Sequence, residues 1–125
     1  MTKSIMDQNK IEKLIEALIR SIGENPKREG LRETPARVAK SYKKLFGGYT
    51  ENPKKLLTLF NNEGYDEMVI ARDIDFYSTC EHHFLPFIGK AYIGYLPKDK
   101  IIGLSKMPRM VEIISRRLQN QESLT

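Results

Sequence analysis

The feature that most constrains this chain is a change of hydrophobic period near Met68: apolar residues recur at helical spacing before it and alternate after it. Ile11, Leu14, Ile15, Leu18, Ile19 and Ile22 form a helical stripe, with Lys10, Glu12, Lys13, Glu16 and Arg20 on the other side. Asp7 is the expected cap and Gly23 the expected stop. The charged, breaker-rich stretch from Glu24 to Gly30 reads as a loop. A second helix is expected with Thr34 as cap and Pro35 in its first turn, turning Val38, Leu45 and Phe46 inward beside Tyr42 and ending at Gly47-Gly48. Asn52-Pro53 repeats the device for a short third helix with Leu56, Leu57 and Leu59. From Met68, Val69, Ala71, Ile74, Phe76 and Ser78 suggest a strand whose phase slips around Arg72 and Asp73, where a bulge is expected. Lys90 to Leu96 suggests an antiparallel partner, Pro97 to Lys100 a turn, and Ile101-Ile102 a short extension. Ser105 is the expected cap of a last long helix with Met107, Met110, Val111, Ile114 and Leu118 inward; Pro108 falls in its first turn, where it is tolerated. The fold class is α+β, with a helical region over residues 1–65 ahead of the strands.

At 125 residues, 40% hydrophobic and 30% charged, the chain suits one domain with a real core rather than two. No apolar run approaches the ~20 residues of a membrane span, and Met1 to Asp7 lacks the apolar core of a signal peptide, so a soluble, cytoplasmic protein is expected. One cysteine permits no internal disulfide, in keeping with a reducing compartment. Net charge of +5 suits an anionic partner: nucleic acid, an anionic surface or a phosphorylated small molecule.

Chemistry concentrates in Cys80-Glu81-His82-His83-Phe84, which holds the only cysteine and both histidines. Thiolate and imidazole are the donors that zinc and similar metals take at neutral pH. The plainer reading is a small buried cysteine beside surface histidines. In an extended strand Cys80 and His82 share a face, whereas Cys80 and His83 converge only across a turn or bulge, and spacing leaves both open. Two basic groups are candidates for an anion. Arg37 and Lys40, three apart, share a helix face, either around a phosphate or in solvent. Ser105, Lys106 and Arg109 surround a helix start whose free N–H groups favour an anion, or else form an ordinary capped helix with solvated bases.

Several of these motifs agree on one family. Glu33-Thr34-Pro35-Ala36-Arg37-Val38-Ala39-Lys40, Ser78-Thr79-Cys80-Glu81-His82-His83-Phe84, Pro86-Phe87-Ile88-Gly89-Lys90-Ala91, Ile102-Gly103-Leu104-Ser105-Lys106 with Arg109, and Arg116-Arg117-Leu118-Gln119 with Gln121-Glu122 resemble GTP cyclohydrolase I. The resemblance spans about residues 8 to 125 in the family's order. It implies the tunnelling fold (T-fold), an antiparallel sheet backed by helices, of which residues 66–125 form the N-terminal part of the catalytic domain. It also implies homo-oligomeric rings that stack in pairs, with active sites between subunits. By the same resemblance Cys80 and His83 are zinc ligands, His82 is catalytic, Gln121 and Glu122 read the guanine, and Ser105, Lys106 and Arg109 hold the triphosphate of GTP, joined by Arg37 and Lys40 of a neighbouring subunit.

The implied activity is opening of the guanine imidazole ring of GTP by water, giving formate and 7,8-dihydroneopterin triphosphate, the entry to tetrahydrofolate-type pterins. Zinc would activate the water, His82 would pass protons, and Glu122 would accept two hydrogen bonds that guanine offers and adenine does not. The chain departs from the family in having Asn120 and Ser123 where valine and arginine are common. The family's later helix and two strands, with a second cysteine ligand and a second catalytic histidine, have no counterpart in these 125 residues. Full turnover by these residues alone is therefore not expected, and the alternative is a non-catalytic member of the fold that binds GTP or other subunits. A nucleic-acid-binding domain rests on charge alone and has no motif behind it, so neither nucleic acid nor membrane is an expected partner.

Overall fold

The structure is a computed structural model that describes residues 6–125, so the reading of Met1 to Ile5 lies outside the described residues. Helix α1 runs Gln8–Ser21. The Asp7 carboxylate accepts from the Lys10 amide at 3.0 Å, and Gly23 at φ +90° ends the helix, both as the sequence implies. Its stripe is only half covered: Ile19 is buried against α2, whereas Leu14, Leu18 and Ile22 stay exposed.

Helix α2 spans Thr34–Leu45. Thr34 is its first helical residue rather than its cap. The cap position falls to Glu33, which makes no side-chain capping bond. The physical reason is the entry: a 3-10 turn at Glu29–Leu31 feeds α2, so Glu33 holds helical angles instead of the extended ones that aim a side chain at the amides. The expected third helix is a single 3-10 turn, Pro53–Leu56, capped by Asn52 through the Lys54 amide at 3.0 Å. Leu59 belongs instead to strand β1, Leu59–Asn61, because Leu57 is already extended. Strand β1 pairs antiparallel with β4, Lys100–Ile102.

Strands β2, Val69–Cys80, and β3, Pro86–Tyr95, form the main antiparallel pair. Register shifts between Ala71 and Ile74, and Asp73 takes φ +57°, so the bulge sits where the alternation slips. Strand β3 begins four residues before Lys90, with Pro86 at its first position, where a missing N–H is tolerated.

Helix α3, Lys106–Ser115, packs on β2 and is shorter than its apolar pattern suggests. Leu118 is not on it. The chain turns at Arg116, and Leu118–Gln119 forms strand β5, parallel to β2 with Thr79 opposite Leu118 and Cys80 opposite Gln119. Three bonds hold this ending: the Ser78 hydroxyl donates to the Ser115 carbonyl at 2.7 Å, the Leu118 amide to the Tyr49 hydroxyl at 3.0 Å, and the Glu81 amide to the Gln119 carbonyl at 3.0 Å. The three-stranded sheet, in order β3-β2-β5, is thus mixed. A four-residue helix α4, Gln121–Leu124, follows.

The core lies between β2 and α3. Ile74, Met107, Val111 and Ile113 are buried there, and Ala39 and Phe46 are buried on the side of α2. Each such side chain contributes about 1.5–3 kcal/mol of burial, with small Ala39 below that range. Gly48, after the end of α2, serves this packing: a Cβ there would lie 2.0 Å from the Ile113 carbonyl oxygen. Architecture is therefore α+β, helices on a largely antiparallel sheet, compatible with the T-fold.

Candidate active site

Strand β2 ends on Cys80, and the chain reverses at once. The Cys80 amide donates to the Leu85 carbonyl at 2.7 Å, and the Phe84 amide donates to the Cys80 carbonyl at 2.8 Å. Residues 81–83 form the turn between. Phe84 closes it at φ +61°, a conformation unusual for a bulky residue, with its ring 5.7 Å from Phe46 and 6.5 Å from Tyr42. The alternation that would put Cys80 and His82 on one strand face therefore stops at Cys80. Cys80 is half-buried at the strand end, and His82 and His83 are exposed on the turn.

Thiolate and imidazole at Cys80 and His83 are suitable zinc donors, but they are two where a zinc site takes three or four from protein. Among the described residues no group of three or more His, Cys, Asp and Glu side chains is placed to hold a metal ion. The described residues thus fit part of a zinc site and not a whole one.

Strand β5 carries the other half of the constellation to this turn. With Gln119 opposite Cys80, the next residue, Asn120, reaches Glu81: its Nδ2 donates to Glu81 Oε1 at 2.5 Å. Asn120 also caps α4, its Oδ1 accepting from the Ser123 amide at 2.7 Å. The same Glu81 oxygen lies 3.8 Å from His82 Nε2. Gln121 and Glu122, both exposed, open α4 directly after this cap. The structure therefore gathers Cys80, His82, His83, Gln121 and Glu122 at one end of the sheet.

The basic candidates are elsewhere. Ser105 occupies the cap position of α3 with helical angles and makes no capping bond, because the chain enters through a tight turn in which the Lys106 amide donates to the Gly103 carbonyl at 2.9 Å. Lys106 is half-buried and Arg109 exposed, and among the described residues neither is in an ion pair. Ser105 and Arg109 border a cavity of about 990 Å³ between α3, the hairpin and the end of α2. Thr79 and Phe84, which flank the Cys-His turn, line the same cavity. Arg37 and Lys40 are exposed on α2, and Arg37 donates to Glu33 at 2.6 Å in a solvated pair. Of these candidates, Ser105 and Arg109 thus border a cavity that reaches the strand end beside the Cys-His turn, whereas Arg37 and Lys40 do not line it.

From sequence, Asn120 stood out only as a departure from the family pattern and Glu81 only as a member of the Cys-His motif, and neither was given a role. The available signal was Asn120 itself, a capping residue type immediately before Gln-Glu-Ser. What periodicity could not supply was the turn from α3 into β5 that carries Asn120 to Glu81.

Comparison with known proteins gives the family. The family model described as GTP cyclohydrolase I matches residues 11–125. The proteins named GTP cyclohydrolase 1 from Brucella canis and Brucella suis are each 54% identical to this chain over 116 residues, covering 91% of it and 54% of the relative. The chain spans about half the length of the curated relatives it matches. Motif order, the α+β architecture and a match over nearly all of its residues converge on one conclusion: the chain belongs to the GTP cyclohydrolase I family.

Proposed function

We propose that this chain contributes to a site that opens the imidazole ring of GTP by hydrolysis, giving formate and 7,8-dihydroneopterin triphosphate for tetrahydrofolate-type pterin synthesis. The observation that carries the reading is the parallel pairing of β2 with β5, which sets Cys80 opposite Gln119 and so puts a Cys-His turn beside Gln121 and Glu122. In this reading Cys80 and His83 supply two zinc ligands, and further ligands come from outside the described residues. Zinc, when bound, lowers the pKa of a coordinated water to near ~7.

The chain's own residues do the rest. His82, exposed on the turn, moves protons to and from the ring nitrogen and the departing groups. Glu122 accepts from the N1–H and amino group of guanine. Adenine lacks that donor pair, so the carboxylate selects the base. Ser105, Lys106 and Arg109 hold the triphosphate and so fix the ring in place. In this reading Arg37 and Lys40 reach the triphosphate from another copy, and the working unit is a homo-oligomer.

The test compares GTP, ATP and inorganic triphosphate as ligands. Glu122→Ala should lower the preference for GTP over ATP by about tenfold or more, the loss typical of a hydrogen-bonded charged group, and leave triphosphate affinity unchanged. Lys106→Ala and Arg109→Ala should weaken all three ligands alike. Equal losses for every ligand in every variant would overturn the assignment.

A further inference from the structure

The Glu81–Asn120 contact does work that the proposed roles leave unassigned. It joins two short, exposed segments by their side chains: a turn of three residues and a helix of four. A helix of that length is not stable on its own residues. Asn120 is bidentate, donating through Nδ2 to Glu81 and accepting through Oδ1 from the Ser123 amide. Its backbone continues a strand whose Gln119 carbonyl already accepts from the Glu81 amide. One side chain thus fixes both the direction of α4 and its distance from the turn. With Glu81 about 40% exposed, the bond to its carboxylate is partly solvated and acts at the lower end of the range for charged hydrogen bonds.

We infer that Asn120 is a positioning residue, which ties the Cys-His turn to the helix carrying Gln121 and Glu122 and so sets guanine selectivity through Glu122. The selectivity half of this inference rests on the function proposed above; the tether does not. Asn120 touches no substrate in this scheme.

The experiment uses the full chain and reads two quantities in each variant: exchange of the Ser123 amide hydrogen, and the ratio of GTP to ATP affinity with inorganic triphosphate as control. Asn120→Val should speed exchange at Ser123 and cut the GTP/ATP ratio by about tenfold, while triphosphate affinity stays put. Asn120→Asp keeps the cap acceptor but sets a carboxylate against Glu81. It should retain slow exchange at Ser123 and still lose selectivity. Adding Glu81→Gln to Asn120→Asp exchanges the amide and the carboxylate between the two positions, restores the bond with its polarity reversed, and should recover most of the selectivity. Unchanged exchange and selectivity in Asn120→Val, or no recovery in the double variant, would overturn the inference, as would a parallel fall in triphosphate affinity, the mark of a merely structural loss. A wild-type chain with no preference for GTP would remove the functional reading. In that case the tether stands if Asn120→Val speeds Ser123 exchange and falls if it does not.

Discussion

At the scale of single residues, the bulge in β2 is tied down by charge. Asp73, at φ +57°, accepts from the Tyr92 hydroxyl at 3.1 Å, and Asp75 pairs with Lys90 at 3.0 Å. The hydrogen bond to Asp73 and its charge push the Tyr92 phenol above the usual tyrosine range, and the hydrogen bond and charge of Asp75 raise Lys90 likewise. A group whose folded pKa is raised adds stability that is whole below its unfolded pKa and is lost as pH rises through the folded one. Both contributions therefore persist through neutral pH and fade only in the alkaline range of tyrosine and lysine. Ultraviolet titration should show one late phenol, moved back toward the ordinary range in Asp73→Asn and missing in Tyr92→Phe. Identical curves for all three proteins would sink the assignment. The phase slip at Arg72-Asp73 was legible in the sequence because it breaks a local period. The partner was not, because Tyr92 arrives from another strand. At the Cys-His turn, zinc titration should find weak binding that falls about tenfold or more in Cys80→Ala and in His83→Ala. Unchanged affinity in both would take those residues out of the metal site.

At the scale of elements, two backbone constraints shape the end of the sheet that carries the turn. Phe84 is held left-handed, at a cost of roughly 1–2 kcal/mol for a residue with a Cβ, offset by its contacts with Phe46 and Tyr42 and by the amide bond to Cys80. Removing the ring should destabilise the chain, but Phe84→Gly should do so by about 1 kcal/mol less than Phe84→Ala, since glycine takes this conformation freely. Urea midpoints decide it, and an alanine variant as stable as the glycine variant would contradict the strain argument. The second constraint is Gly48, whose amide donates to the Arg116 carbonyl at 3.0 Å. An added methyl would meet the backbone oxygens of Ile113 at 2.0 Å and Arg116 at 2.7 Å. Gly48→Ala should therefore cost about 3 kcal/mol, because backbone at the end of α3 must move. Thermal unfolding within about 0.5 kcal/mol of wild type would show that this end of α3 is softer than its packing implies. These elements also show where sequence reading stops. Helices α1 and α3 were legible from their stripes and the main hairpin from its alternation. The two-residue strand β5 was not, since Leu118 extends the α3 stripe in phase and only Tyr49, Glu81 and β2 draw it into the sheet.

At the scale of the whole molecule, the surface exceeds what the usual scaling gives for a compact chain of this size. A compact protein of 14.5 kDa exposes about 6,900 Å² by the usual scaling, and this chain exposes 9781 Å². Much of the excess is apolar and ordered. On the outward face of the hairpin Tyr77 stands opposite Ile88, at 69% and 74% exposure, with Ile70 and Tyr92 further along the same pair of strands. Phe87, Ala91 and Ile93 alternate with them on the inward face, so β3 carries apolar residues on both sides, interrupted on the outward one by the exposed Asp75–Lys90 pair. Its outer edge has no partner strand among the described residues, which leaves a row of backbone donors and acceptors open to another chain. A proposal of homo-oligomers accounts for the exposed apolar residues of the outward face and the open strand edge, and supplies the neighbouring copy from which Arg37 and Lys40 would act. The expected outcome is association that strengthens with concentration in sedimentation velocity, and Ile88→Lys, which sets a charge in the middle of the outward face, should shift the distribution toward monomer without altering the far-ultraviolet circular dichroism. A single monomeric species at every concentration would break the link between this face and assembly, and would leave Arg37 and Lys40 no neighbouring copy to serve.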